Sequence, residues 1–196
     1  DDTDVDGDQE VMISVGADGY LSDSEVLTVL DDEESRLTVV ISPADVAEGA
    51  VITGTVTRNT GTAGALEVML SSSDDGEALV PSLVTIQDGQ ESATFSIAGV
   101  EDGLVDGDQS VDVTGSATGF VSGVGSVNVL DVDVPTLTVT IVADEVAENG
   151  VVTATVSRNT DTGVALDVEL ASSDLGEASV IPAVVIPVGS ASVAFD

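Results

Sequence analysis

The stretch VITGTVTRNT, residues 51–60, decides how this chain folds. Its first eight residues alternate between two sets, and such a period of two is typical of a β-strand. One set holds Val51, Thr53, Thr55 and Thr57, and the other holds Ile52, Gly54, Val56 and Arg58. Valine and threonine are β-branched and favour strands, whereas the following Asn-Thr begins a stretch of turn-forming residues. We therefore predict a strand over residues 51–58 that ends in a turn.

A close copy of this stretch, VVTATVSRNT, occupies residues 151–160. Shifting the sequence by 100 aligns residues 1–96 with residues 101–196 without a gap, and 44 of the 96 aligned positions are identical. A gapless period of this length is typical of tandem domains. Because a unit of about 100 residues can bury its own core, we expect each repeat to fold as a separate domain.

The repeat limits fall in two charged stretches, LDDEES at Leu30–Ser35 and LDVDVP at Leu130–Pro135. Each stretch joins two strand-like runs, which is typical of a linker. The period therefore predicts one complete repeat over residues 34–133. It also predicts the C-terminal part of a preceding repeat at residues 1–33 and the N-terminal part of a following repeat at residues 134–196. We accordingly expect the chain to be a segment of a longer protein.

Within the complete repeat, short runs with a period of two alternate with turns rich in Gly, Asp and Asn. The runs are LTVVI (37–41), VITGTVTR (51–58), ALEVML (65–70), SLVTI (82–86), SATFSI (92–97), SVDVTGSA (110–117) and GSVNVL (125–130). About seven strands in a repeat of this size indicate an immunoglobulin-like β-sandwich. A small barrel would need the same strands, but the gapless tandem arrangement favours the sandwich. The predicted fold class is all-β, with tandem immunoglobulin-like β-sandwiches of about 100 residues each.

The chain is strongly acidic, with 37 Asp and Glu residues, three Arg, no Lys and a net charge of −34. Phosphate groups would be repelled, so nucleic acids and anionic membrane surfaces are excluded as partners. Two explanations of the charge remain, namely bound divalent cations and an acidic surface adapted to salt. No run approaches the roughly 20 apolar residues of a membrane-spanning helix.

Most of the usual catalytic side chains are missing, because the sequence contains no His, no Cys and no Lys. A pair of carboxylates can hydrolyse glycosides. Such a site needs a cleft that is usually lined with aromatic side chains, and this chain has one Tyr, three Phe and no Trp. We therefore expect no enzymatic activity. Arg58 and Arg158 occupy the same place in both copies, and we expect each to pair with nearby acidic side chains at a strand end.

The segment Asp2–Gly7 imitates the start of an EF-hand calcium loop. Position 12 of that loop would be Ile13, where an EF-hand requires Glu. In the second copy, the third position is Leu104 instead of an acidic residue. We therefore exclude an EF-hand and interpret the recurring VDGDQ, at residues 5–9 and 105–109, as a loop of the sandwich.

The order of the short motifs resembles that of a Calx-β repeat. The motifs are LTVVI (37–41) with VAEGAVITGTVTRNT (46–60), SSSDDGEA (71–78), GQESATF (89–95), EDGLVDGDQSVDV (101–113) and VNVLD (127–131). The Calx-β family includes regulatory calcium-binding domains of sodium–calcium exchangers and repeats of very large bacterial surface proteins and adhesins. The resemblance covers the whole chain and implies a sandwich that binds calcium at one end through several loops.

Carried over to this sequence, the resemblance implies Ca²⁺ as the cofactor and assigns carboxylate ligands to each repeat. Those of the complete repeat are Glu48, Asp74, Asp75, Glu101, Asp102, Asp106, Asp131 and Asp133. Those of the preceding repeat are Asp1, Asp2, Asp6, Asp31, Asp32 and Glu33, and those of the following repeat are Glu148 and Asp174. Two departures from the family pattern matter: Val132 interrupts one closing acidic run, and Leu175 replaces a loop acid. We therefore expect the following repeat to bind fewer ions.

Elementary electrostatics supports a cation among clustered carboxylates. Two carboxylates about 4 Å apart repel by roughly 4 kcal/mol at an effective dielectric constant of about 20, and a divalent cation removes this conflict. The alternative is that these acidic residues only form turns, because Asp-Gly is a favoured turn dipeptide.

The predicted function is that of a non-enzymatic structural repeat in a long extracellular surface or fibre protein, stiffened by calcium at the repeat junctions. The predicted partners are neighbouring repeats of the same protein and copies of the chain itself in a fibre. Two alternatives stay open: a calcium-sensing or ligand-binding module used in adhesion, and a metal-free, salt-adapted spacer. A further hypothesis is that two copies complement each other, with residues 1–33 of one pairing with the strands after Val134-Pro135 of the other.

Overall fold

The computed structural model describes residues 4–196, and within that range the regular secondary structure consists of sixteen β-strands. The predicted all-β fold class is therefore confirmed. The first eleven strands are β1 (Gln9–Val15), β2 (Asp23–Val29), β3 (Leu37–Ile41), β4 (Asp45–Ala47), β5 (Val51–Arg58), β6 (Leu66–Ser72), β7 (Ala78–Leu79), β8 (Leu83–Ile86), β9 (Ser92–Gly99), β10 (Gln109–Ser116) and β11 (Gly123–Leu130). The others are β12 (Leu137–Ile141), β13 (Ala154–Arg158), β14 (Leu166–Glu169), β15 (Ala183–Ile186) and β16 (Ser192–Phe195). In this described part of the chain, no helix is long and apolar enough to cross a membrane.

The chain divides into two compact units. The first unit comprises the residues up to Val100 together with Gln109–Leu130. The second unit comprises Glu101–Asp108 and Asp131–Asp196. The repeat limits at residues 33/34 and 133/134 stay predictions.

The first unit contains a β-sandwich built from two sheets. One sheet has the strand order β4-β11-β10-β6-β8, and the other has the order β3-β5-β9-β7. The paired strands are antiparallel, apart from β4 and β11, which run parallel. The arrangement is immunoglobulin-like.

Strand β5 confirms the prediction made from VITGTVTR and shows its physical basis. It lies between β3 and β9, with Val56 opposite Val39 on one side and Ala93 on the other. Gly54, Val56 and Arg58 are buried, whereas Thr55 and Thr57 between them are only partly buried. Burial of one aliphatic side chain stabilises a fold by roughly 1.5–3 kcal/mol, so the alternation fixes which face points inward. The other buried core residues of this unit are Leu37, Val39, Val46, Val68, Leu70, Ala78, Ile86, Phe95, Ile97, Val111, Val113, Val127 and Val129.

The two repeated arginines lie in buried positions, but their hydrogen bonds differ from the expectation. The Arg58 guanidinium donates to the carbonyl oxygens of Thr62 (2.7 Å), Gln90 (2.7 Å) and Gly64 (3.0 Å). Arg158 likewise donates to the carbonyl oxygens of Val164 and Ser190. The predicted pairing with carboxylates is therefore wrong for the hydrogen bonds seen here. Because the loop after each strand turns its carbonyls inward, the guanidinium closes that loop instead.

The first unit also contains a separate hairpin, β1–β2. Its register pairs Gln9 with Val29 and Val15 with Asp23. The hairpin β10–β11 has the same register 100 residues later, with Gln109 opposite Val129 and Gly115 opposite Gly123. Unlike β10–β11, every residue of β1 and β2 is exposed, and among the described strands these two pair with each other alone.

The second unit has a smaller core between two short sheets. One sheet has the order β12-β13-β16, and the other pairs β14 with β15. Its buried centre consists of Val156, Val168 and Ile186. All five residues of β12 are exposed, although β12 has nearly the same sequence as the half-buried β3.

Candidate metal centre

Asp131 organises the acidic linker that follows β11, within the second unit. Its Oδ2 accepts a 2.8 Å hydrogen bond from the backbone amide of Gly107, and its Oδ1 accepts one of 2.8 Å from the amide of Asp133. Its own amide donates to Oδ1 of Asp108 at 3.2 Å. The bond from Gly107, followed by that from Asp133, lowers the pKa of Asp131 below its ordinary value. The carboxylate thus ties the loop of residues 101–108 to the start of the linker.

The first unit holds a matching network around Asp31. The amide of Gly7 donates to Oδ2 of Asp31, and the amide of Glu33 donates to Oδ1 at 3.2 Å. The amide of Asp31 donates to Oδ1 of Asp8 at 3.0 Å. The bond from Gly7 is the main reason why the pKa of Asp31 is lowered. Burial raises the pKa of Glu33, and its hydrogen bond with Asp31 raises it further.

An asparagine at the end of the R-N-T motif holds the same linker from the other side, and the sequence analysis missed it. In the second unit, Oδ1 of Asn159 accepts from the amide of Thr136 at 2.7 Å, and its Nδ2 donates to the carbonyl oxygens of Val134 (3.1 Å) and Gly103 (3.0 Å). Its backbone oxygen accepts from the amide of Val105 at 2.7 Å. Asn159 therefore joins the linker, the 101–108 loop and β13.

Asn59 makes equivalent contacts in the first unit. Its Oδ1 accepts from the amide of Arg36 at 2.7 Å, its Nδ2 donates to the carbonyl oxygen of Glu34 at 3.0 Å, and its backbone oxygen accepts from the amide of Val5 at 2.8 Å. The signal that would have found it is the identity of Asn59 and Asn159 in both copies of R-N-T.

Asp102 lies close to two other predicted ligands of the second unit, one on its own loop and one on the linker. A carboxylate oxygen of Asp102 lies within 4.8 Å of one from Asp133, and within 4.8 Å of one from Asp106. Oδ2 of Asp133 is buried and accepts no hydrogen bond from the residues that the structure describes. Oδ1 of Asp102 accepts from the amide of Leu104 at 2.7 Å, which fixes the turn of the loop. Glu101 precedes this cluster on an exposed stretch.

The remaining predicted ligands of the complete repeat belong to the first unit. Glu48 is buried, and its amide donates to the carbonyl oxygen of Leu130 at 3.2 Å, which places it where β11 ends. Asp74 caps its own turn, because its Oδ1 accepts from the amide of Gly76 at 2.9 Å. Asp75 is exposed in that turn.

The ligands assigned to the other two repeats lie in loops and linkers. Asp6 and Asp32 are exposed beside the Asp31 network. Glu148 is exposed in the loop before β13. Asp174 repeats the turn geometry of Asp74, with Oδ1 accepting from the amide of Gly176 at 2.9 Å. Asp1 and Asp2 lie outside the described residues.

The Asp102–Asp106–Asp133 group, called the junction carboxylates below, has the chemistry of a hard-cation site. Calcium takes six to eight oxygen ligands, several of them carboxylates from loops. By sequence, the second unit has one basic side chain, Arg158, and its guanidinium donates hydrogen bonds to backbone carbonyl oxygens. The negative charge of the junction carboxylates is therefore not neutralised by a basic residue of that unit.

No protein-family model matches this chain, and no curated protein sequence matches it. Several solved structures are similar to it in fold, among them the following two. The crystal structure of the apo form of the Calx CBD1 domain has 16% sequence identity and a TM-score of 0.40, and the match covers 52% of this chain and all of that one. A complex of CsuC with CsuE, the chaperone and tip adhesion subunit of archaic chaperone-usher Csu pili from Acinetobacter baumannii, has 14% identity and a TM-score of 0.34, over 81% of this chain and 86% of that one.

Proposed function

We propose that this chain is a non-enzymatic structural segment of a long, extracellular surface or fibre protein built from Calx-β-like repeats. In this proposal, Ca²⁺ binds the junction carboxylates and stiffens the linker between successive repeats. The partners are then the neighbouring repeats of the same protein.

One observation carries the metal proposal: the buried Oδ2 of Asp133 accepts no hydrogen bond from described residues, and a carboxylate oxygen of the same residue lies within 4.8 Å of one from Asp102. A buried charged oxygen without a partner is costly, and a bound cation would remove that cost. The hydrogen bonds from Gly107 and Asp133 to Asp131 hold the two segments that would supply the ligands. Asp131 would thus orient the site, as residues around metal ligands commonly do.

The structural role is supported by where these residues lie in the sequence. The junction carboxylates belong to the loop before β10 and to the linker after β11. Asp131 and Asn159 each hydrogen-bond to both segments. A cation that bridges a loop and a linker restrains the linker backbone. The sequence lacks His, Cys and Lys, so a catalytic role has little support.

An extracellular location fits the expected affinity. Calcium modules of extracellular proteins have dissociation constants of about 10⁻⁴–10⁻³ M, in contrast to the tighter cytosolic sensors. We place the three junction carboxylates, which lie on a loop and a linker, in the weaker class. A sensing or ligand-binding module would instead respond sharply at micromolar calcium.

Isothermal titration calorimetry of the full chain with CaCl₂ tests the proposal. We expect binding in the range above, weakened at least about tenfold by Asp133→Asn, because ligand charge sets calcium affinity. Asp167→Asn, which removes one charge from the exposed face of β14 in the same unit, is the matched control and should leave the affinity within about twofold.

Three results would contradict the proposal. Absence of binding would favour the salt-adapted spacer. Equal weakening by both variants would show that calcium responds only to net charge. Binding at micromolar calcium with a large structural change would favour the sensing module.

A further inference from the structure

The second unit exposes apolar side chains whose counterparts in the first unit are buried. Leu137 is 52% exposed and Val139 is 54% exposed, whereas Leu37 and Val39 are 4% and 5% exposed. A groove of about 280 Å³ adjoins these positions, lined by residues that include Val139, Ile141, Ala154, Leu170 and Phe195. We call β12 with this groove the open face of the second unit.

In the first unit, the hairpin β10–β11 covers the equivalent positions. Its inward valines, Val111, Val113, Val127 and Val129, are at most 2% exposed and share one core with Leu37 and Val39. The surface that the hairpin packs against has the same residues in both units. Leu37, Val39, Ile41, Val68 and Leu70 recur as Leu137, Val139, Ile141, Val168 and Leu170. The first unit therefore shows what kind of element covers this surface, namely the β10–β11 hairpin.

Three glycines let β10–β11 approach β3 closely. A Cβ atom at Gly123 would lie 2.6 Å from the carbonyl oxygen of Leu37, which is backbone and cannot rotate away. A Cβ at Gly125 would lie 3.0 Å from both the oxygen and Cγ1 of Val39, and one at Gly115 would lie 3.1 Å from Cγ2 of Val39. The backbone therefore leaves no space for a side chain at Gly123, and a side chain at Gly115 or Gly125 would require Val39 to shift by a few tenths of an ångström.

The β1–β2 hairpin lacks all three glycines. Its residues at these positions are Val15, Asp23 and Glu25. On the open face, Asp23 would meet the backbone of Leu137, and Glu25 would bring a carboxylate against Val139. Burial of an unpaired carboxylate is strongly unfavourable. The mutual complementation of residues 1–33 and 134–196 stays a prediction, and these three positions argue against it.

We propose that the open face of the second unit is a docking site for a β-hairpin with glycine at the positions of Gly115, Gly123 and Gly125, supplied by a further repeat of the same kind, and that it excludes β1–β2. The hairpin adds a strand beside β14 and fills the groove, as β10–β11 does beside β6. The proposal rests on the proposed function only for the source of the hairpin, a neighbouring repeat. The selection itself follows from packing and does not need calcium.

Two fusions of equal length test this selection. In the first, residues 97–133 are appended after Asp196, which continues the 100-residue period. In the second, residues 97–100 followed by residues 1–33 are appended. Hydrogen exchange of backbone amides in β12 and in residues 170–172 is measured for the full chain and for both fusions, in EGTA and again in CaCl₂.

We expect the first tail to slow exchange at these amides at least about 100-fold, and the second tail to change it by less than about threefold. Gly115→Val, Gly123→Asp and Gly125→Glu, introduced together in the appended copy, should abolish the protection. Val124→Ser in the appended copy changes an outward-facing residue to that of β2 and should retain it.

Equal protection by both tails, or no protection by the first, would overturn the proposal. The same holds if the Val124→Ser control loses protection as fully as the triple substitution. Protection that is present in EGTA separates this inference from the metal proposal, since a failure of calcium binding leaves it untouched.

Discussion

The backbone amide of Gly107 lies 2.8 Å from Oδ2 of Asp131 and donates a hydrogen bond to it. This bond joins the loop before β10 to the linker after β11, and the Gly7–Asp31 pair repeats it 100 residues earlier. Gly107 has a φ of +86°, a conformation that favours glycine. The same carboxylate fixes Asp133, one of the junction carboxylates, through its amide.

Replacement of Asp131 by Asn should weaken calcium binding without removing a junction carboxylate. Asn keeps the shape but offers only one acceptor oxygen, so it cannot accept from both Gly107 and Asp133. Residues that orient metal ligands typically change affinity by about 10–100-fold when they are lost. Calorimetric titration should show a loss of affinity of about tenfold, whereas the exposed Asp167→Asn variant should stay within about twofold of the wild type.

Removal of calcium should destabilise the wild-type chain. A ligand that binds only the folded state stabilises it by about 2.7 kcal/mol when its concentration is 100 times the dissociation constant. Thermal unfolding in EGTA should therefore occur at a lower temperature than in saturating CaCl₂. The Asp133→Asn variant should show a much smaller difference, and equal shifts in both proteins would argue against the junction carboxylates as the site.

Arg58→Lys should destabilise the first unit by roughly 2 kcal/mol. A lysine ammonium lacks the planar fork that reaches three carbonyl oxygens at once, so buried acceptors lose their donors. Denaturant unfolding of this variant is compared with that of Arg36→Lys, which makes the same charge-conserving substitution at an exposed position. Similar stabilities for the two variants would show that the Arg58 hydrogen bonds contribute little.

Val113→Ala should cost about 2 kcal/mol, whereas Ile13→Ala at the equivalent position should cost less than about 0.5 kcal/mol. Val113 is fully buried in the sandwich core, and Ile13 is 55% exposed. The comparison uses the free energy of unfolding of the full chain. A large effect of Ile13→Ala would reveal that the β1–β2 hairpin is covered in solution.

The sequence predicted the strands well because alternation is a local property. Runs such as LTVVI and VITGTVTR show which residues face inward, and β3 and β5 follow them closely. The hairpins β1–β2 and β10–β11 have the same register, as the 100-residue period predicts.

The sequence failed where the outcome depends on the shape of distant loops. Nothing in R-N-T shows that Asn159 will meet the linker at Thr136, because that contact depends on how a strand end and a linker come together. The partners of Arg58 were missed for the same reason, since backbone carbonyls leave no mark in the sequence. The sequence analysis also overlooked that β1–β2 has no glycine at the positions of Gly115, Gly123 and Gly125. This difference between the copies matters only once β3 is known to lie against Gly123.

Arg58 and Arg158 are buried, so Arg36 is the one exposed arginine of a chain with a net charge of −34. Chains lying side by side would therefore repel each other over roughly 10 Å in 0.1 M salt and roughly 30 Å in 0.01 M salt. A dense layer of them would behave as a polyanionic brush, whose chains move apart as the medium is diluted and crowd together as it becomes saline.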